Sequence, residues 1–158
     1  MITSIAPVNG IYEIIQEKYE QDNKTIILRP YVIQEHISDR AGRHYDFRIM
    51  HLRSNKLASW ALPKAKIPKR PREKYLAVRT KDHDAVWLSF QGKIPEGEYG
   101  SGRVKIVQKG ELEIIRWSQR YISFEVTGRI MNGKFGLIKM VRPSHKQEEW
   151  LITRLKED

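Results

Sequence analysis

The 158-residue chain has no cysteine, so neither a disulfide nor a thiolate metal ligand is available to it. Any metal must be held by histidine, aspartate, glutamate, carbonyls or water. Such donors favour a harder ion such as Mn2+, or Zn2+ or Fe2+ held by imidazole. No apolar run approaches the roughly 20 residues that a membrane-spanning helix needs. The opening MITSIAPVNG also lacks a basic stretch followed by an apolar one. A soluble, cytoplasmic protein is the resulting expectation. Internal repeats and low-complexity tracts are absent. Acidic residues are in deficit, 19 Asp and Glu against 29 Lys and Arg, for a formal net charge of +10. That balance suits an anionic partner, nucleic acid first, because Lys and Arg displace the counterions condensed on phosphates.

The length fits one main domain with a core that needs no staples. Residues 11–22 carry Ile11, Ile14, Ile15 and Tyr19 at helical spacing, which predicts a short helix. After Pro30 the pattern changes to short strand-like runs at 31–35, 44–51, 57–62, 74–80, 103–109, 121–127, 134–142 and 150–155. Ile122, Phe124 and Val126 alternate with Tyr121, Ser123 and Glu125, as one buried and one wet face would. Turn signals such as Pro95-Glu96-Gly97, Gly100-Ser101-Gly102 and Asn132-Gly133 separate the runs. Many short strands without helical stretches between them make the chain all-β, a barrel or a sandwich.

His44-Tyr45-Asp46-Phe47-Arg48 alternates polar and aromatic residues with a period of two. In a strand His44, Asp46 and Arg48 share one face, roughly 6–7 Å apart, while Tyr45, Phe47 and Ile49 take the other. A polar strand face also arises wherever a sheet meets water, so the pentad alone does not decide. His36, after Tyr31-Val32-Ile33-Gln34-Glu35, and His83, in Lys81-Asp82-His83-Asp84, add further imidazoles. Two histidines and one carboxylate with open positions form a recurrent divalent-metal set. His51 falls on the opposite strand face from His44, and His145 lies in a polar loop, so both are read as structural or solvent-facing. Between Pro63 and Lys74 lie Lys64, Lys66, Lys69, Arg70 and Arg72, punctuated by Pro68 and Pro71. Proline forbids a regular strand here, so this is an exposed loop suited to a phosphate backbone.

These segments, with Ser59-Trp60-Ala61-Leu62-Pro63-Lys64, Gly92-Lys93-Ile94-Pro95-Glu96-Gly97-Glu98-Tyr99-Gly100-Ser101-Gly102, Gly128-Arg129-Ile130, Gly133 and Trp150-Leu151-Ile152, resemble the 3′-phosphoesterase module of bacterial ligase D. The likeness runs from about residue 30 to the C-terminus. It implies a small closed or nearly closed β-barrel of about eight strands with one or two short flanking helices. Residues 1–29 would then be an N-terminal extension holding the short helix, and 30–158 the phosphoesterase domain. It further implies Mn2+, or another divalent ion such as Zn2+ or Co2+, held by His36, His44 and Asp46. Arg48 and His83 would hold the scissile phosphate. The implied activity removes a 3′-terminal ribonucleoside from a primer strand and then the remaining 3′-phosphate. The implied partners are DNA or RNA/DNA primer-template ends and the ligase and polymerase of non-homologous end joining, with the protein a monomer away from membranes.

Three positions depart from the family pattern: the longer loop at 37–43, Trp87 where a phosphate-contacting tyrosine is usual, and Lys81 where an acidic residue is usual. An indole N–H donates one hydrogen bond but neither accepts nor titrates. The glycine-rich 95–102 segment reads as turn structure, with Glu98 expected to approach the site. Two other readings stand beside the phosphoesterase. In one, His44, Asp46 and His83 form the facial triad of an Fe(II) oxygenase that consumes a 2-oxo acid and does without His36. In the other, a basic barrel binds DNA ends and recruits a ligase without catalysis.

Overall fold

The computed structural model describes residues 2–3, 7–8, 11–12, 17–21, 24–141 and 147–157, with side chains from residue 25 onward. Its strands are β1 (Ile2–Thr3), β2 (Pro7–Val8), β3 (Ile11–Tyr12), β4 (Glu17–Gln21), β5 (Lys24–Ser38), β6 (Gly42–Met50) and β7 (Leu57–Pro63). There follow β8 (Lys74–His83), β9 (Gly92–Ile94), β10 (Gly102–Trp117), β11 (Tyr121–Val126), β12 (Gly133–Lys139) and β13 (Glu149–Arg154). Each of the eight runs read from the sequence falls on one of β5, β6, β7, β8, β10, β11, β12 and β13. These strands form one antiparallel ring in the order β5-β6-β7-β8-β13-β12-β11-β10, closed by the pairing of β10 back onto β5. Strands β1 and β4 extend the sheet beyond β5, and β9 lies beside β10.

An eight-stranded ring has an interior just wide enough for side chains to fill. Here the filling is aromatic. Phe47 lies 5.4 Å from Phe124 and 6.4 Å from Trp60, which meets Trp150 edge-on at 5.5 Å. Tyr45, Phe47 and Ile49 all point into this core, as the alternation in β6 requires.

One expectation is corrected. Among the described residues of the predicted 11–22 helix, Ile11–Tyr12 and Glu17–Gln21 are strands. Backbone pairing of β4 with β5, from Glu17↔Leu28 to Gln21↔Lys24, prevails over a four-residue apolar spacing. Strand β5 itself runs unbroken from Lys24 to Ser38. The helical content of the described residues is one short 3-10 turn, Ala85–Leu88, flanking the ring. No helix among them is long and apolar enough to cross a membrane.

Both faces of β6 are buried, which simple alternation does not predict. The second face is covered by the segment 84–101, which crosses outside the ring. It is pinned there by Gln34, whose Nε2 donates to the carbonyls of Trp87 at 2.8 Å and Phe90 at 2.9 Å.

Candidate metal and phosphate site

The polar residues of β5, β6 and β7 meet on the outer face of the ring, beneath that cover. Register brings them together: β5 and β6 set His36 opposite His44 and Gln34 opposite Asp46, and β6 and β7 set Arg48 opposite Ser59. His36, His44 and Asp46 each offer one ligand atom, and these atoms lie within 4.8 Å of one another. Asp46 Oδ2 is 3.1 Å from His36 Nδ1, and Asp46 Oδ1 is 3.2 Å from His44 Nε2.

The hydrogens on these rings follow from their partners. His36 Nε2 lies 2.6 Å from the Gly100 carbonyl, which can only accept, so Nε2 carries the hydrogen. In a neutral ring Nδ1 then turns a lone pair toward Asp46, an arrangement usual for metal-ligating histidines. His44 Nδ1 is buried and has no hydrogen-bond partner in the structure. A cation at the centre would replace the ring hydrogens that otherwise point at Asp46, with one lone pair from each imidazole and the carboxylate turned toward it. This N2O donor set fits Mn2+, Zn2+, Co2+ or Fe2+. Burial acts to raise the Asp46 carboxyl, but hydrogen bonds from His36 and His44 and the charge of Arg48 outweigh it and hold it well below the usual carboxylate range. The hydrogen bond to Asp46 raises the His36 imidazole against its burial.

Arg48 continues the same face. Its Nε donates to Gln34 Oε1 at 2.8 Å and its NH1 to Ser59 Oγ at 3.1 Å, while NH2 stands 3.7 Å from Asp46 Oδ2. The guanidinium lies under the Trp87 ring, 5.0 Å from its centroid, and Trp87 meets His83 edge-on at 5.2 Å. His83 Nδ1 is 2.8 Å from the Lys81 carbonyl, so the neutral ring carries its hydrogen there and its lone pair on Nε2. The facial triad with His83 is not what forms among the described residues. The group at ligand distance takes His36, and His83 sits beside Arg48 instead.

Burial and the adjacent Arg48 charge push the His83 imidazole below its ordinary value of 6.5. The unfolded chain therefore takes up this proton first as pH falls, and the folded state loses stability through the window just below 6.5. The expected result is a steeper fall in melting temperature between pH 8 and pH 5 for the wild type than for His83→Gln. Parallel curves would refute the depressed value.

The other expected residues are dispersed as follows. Lys64, Lys66, Lys69, Arg70 and Arg72 are exposed on the 64–73 loop, which is anchored by buried Ile67 and Pro68. The loop leaves the ring at Pro63, the register partner of His44, so its cations begin beside the metal end of the site. His51 pairs with Asp82 at 3.0 Å, away from the cluster, and His145 lies outside the described residues. Glu98 is exposed, and it is the Gly100 carbonyl from that segment that reaches His36. Sequence reasoning missed that carbonyl, Ser59 and Gln34. Only Gln34 carried a signal, a polar residue on the same face as His36.

Residues 34–139 match the family model described as the DNA ligase D 3′-phosphoesterase domain. The multifunctional non-homologous end joining DNA repair protein LigD of Mycobacterium tuberculosis is 36% identical over 127 residues, 80% of this chain and 16% of that protein. The LigD protein of Pseudomonas aeruginosa is 34% identical over 140 residues, 85% of this chain and 16% of its own length. The chain thus spans about a sixth of these relatives. The matched stretch runs from Gln34 on β5 to the end of β12 and takes in every residue of the cluster, and the chain belongs to the DNA ligase D 3′-phosphoesterase domain family.

Proposed function

We propose that the chain is a divalent-metal-dependent phosphoesterase that heals DNA 3′ ends for repair by end joining. It removes a 3′-terminal ribonucleoside and then the 3′-phosphate left behind. The observation that carries this is the outer face of the sheet, on which His36, His44 and Asp46 of β5 and β6 run directly into Arg48 and, at the end of β8, His83. Family membership supports a DNA 3′ end as the substrate.

His36, His44 and Asp46 would hold a divalent ion, whose chemistry there would be Lewis-acid polarisation of a phosphate oxygen. The chain's own groups do the rest. Arg48 is held by Gln34 and Ser59 with N–H bonds to spare, and it neutralises charge that builds on the phosphoryl oxygens. An arriving phosphate brings negative charge that favours the protonated form of His83. Its Nδ1 then still donates to the Lys81 carbonyl, and Nε2 donates to a phosphoryl oxygen. The cover over β6 excludes water from these contacts and strengthens them. Cations of the 64–73 loop grip the backbone without reading sequence.

The test is a 5′-labelled primer-template ending in one ribonucleotide, incubated with Mn2+ with and without chelator. The expected result is a primer shortened by one nucleoside and bearing a 3′-phosphate, later a 3′-hydroxyl, with no product under chelation. His44→Ala is expected to lose activity by about 10²-fold or more together with measurable Mn2+ binding. Salt-sensitive binding of ends with no product under Mn2+, Zn2+ or Co2+ would replace this reading with the non-catalytic end-binding module.

A further inference from the structure

Tyr99 is 86% exposed, and from residue 25 onward every other Phe, Trp and Tyr is buried or half-buried. A single exposed apolar residue is ordinary; the position of this one is not. Its chain neighbour Gly100 holds His36 through its carbonyl, on the metal side of the site. Across the site, Lys81 Nζ stands 6.0 Å over the Tyr99 ring, and the Lys81 carbonyl takes the hydrogen of His83. The ring therefore lies at the mouth of the site, next in the chain to the Gly100 that meets His36 and against the Lys81 whose carbonyl meets His83.

The turn that carries the ring is closed by hydrogen bonds. Glu98 N donates to the Pro95 carbonyl at 3.2 Å, Ser101 N to the Glu98 carbonyl at 3.1 Å, and Asp39 N to the Ser101 carbonyl at 3.0 Å. Tyr99 is thus presented on a fixed backbone, so little ordering is needed when something binds it. A rigid, solvent-facing aromatic beside a phosphate clamp, with a lysine at its face, matches one ligand chemistry: a nucleobase stacking on the ring while its phosphate meets the cations. Such stacking tolerates any base, because every base has a π-face.

We propose that Tyr99 is the stacking platform for the base of the 3′-terminal nucleoside, with Lys81 steering the adjoining phosphate. It is a specificity residue that tells an intact 3′ nucleoside from a bare 3′ end. The proposal rests on the phosphoesterase reading, and the experiment separates the two. A primer-template with 2-aminopurine as its 3′-terminal base is titrated with protein in chelator, so that binding is read without turnover. Wild type and Tyr99→Phe are expected to quench the fluorescence, and Tyr99→Ala to leave it unquenched. With Mn2+ present, wild type is expected to prefer a 3′ nucleoside over an abasic one by about 5- to 150-fold in kcat/KM. Tyr99→Ala is expected to lose that preference mainly through KM, and Tyr99→Phe to keep it. No quenching by wild type, or equal quenching and equal discrimination by Tyr99→Ala, overturns the proposal. Tyr99-dependent quenching without cleavage by wild type would leave the platform standing and refute the phosphoesterase instead.

Discussion

Arg48→Lys is expected to lower kcat on a 3′-ribonucleotide-ended primer by about 10²-fold while the protein stays folded. The substitution keeps the positive charge beside Asp46. It removes the planar fork that lets one side chain hold Gln34 through Nε, hold Ser59 through NH1 and still offer N–H groups to a phosphate. An ammonium is a point charge on a flexible stem. It cannot satisfy the Gln34 and Ser59 acceptors and grip two phosphoryl oxygens together. The stacking of Arg48 beneath Trp87 is lost as well. If the clamp acts in the transition state, kcat falls with little change in KM. Wild-type kcat for Arg48→Lys, with the circular dichroism spectrum unaltered, would show that charge alone suffices and that the fork has no catalytic role.

Gly102→Ala is expected to destabilise the fold by about 3 kcal/mol or more, combining positive-φ strain with a backbone clash. For a chain of this size that corresponds to a melting temperature lowered by about 6–12 °C. Gly102 lies where β10 pairs with β5 on one side, opposite Ser38, and with β9 on the other, opposite Ile94. Its φ is +138°, and an added Cβ would stand 2.1 Å from the Ile37 carbonyl oxygen and 2.9 Å from Ser38 Cα. Both neighbours are backbone and cannot swing aside. The strand would have to shift at Ile37, directly after His36 of the candidate metal cluster. Weakened Mn2+ binding is therefore expected alongside the lower melting temperature. A melting temperature within about 2 °C of wild type would mean that the β5–β10 seam is looser than its register implies.

Much of the fold was legible because strand periodicity is local. Tyr45, Phe47 and Ile49 declared themselves a buried face by alternation, and the eight runs that close the ring were all visible in this way. The helix over 11–22 was misread because Ile11, Ile14 and Ile15 suit a strand edge as well as a helix face. What decides between them is whether β5 offers a free edge, and that is a non-local fact.

The site divides along the same line. His44, Asp46 and Arg48 share a face by parity, and His36 joins them by matching the family's ordered motifs. Gly100 was invisible as a partner, since its contribution is a carbonyl that every residue type carries. Tyr99 was hidden within a segment read as turn structure, because exposure cannot be counted along a sequence.

By itself, then, the sequence determined the donor chemistry: histidine and carboxylate but no thiolate, an excess of cations, and a strand that sets its polar residues apart from its aromatic ones. The residue pattern, apart from the family resemblance, left His36 and His83 both open as the second imidazole, and the tertiary structure decides between them. Register between β5 and β6 sets His36 against His44, while His83 is held near Arg48 from the end of β8. It also decided that the polar face is covered rather than wet, through the 84–101 segment that Gln34 pins over β6. The reason is physical. Side-chain parity is a property of ten consecutive residues, whereas register, ring closure and cover depend on pairing between strands far apart in the chain.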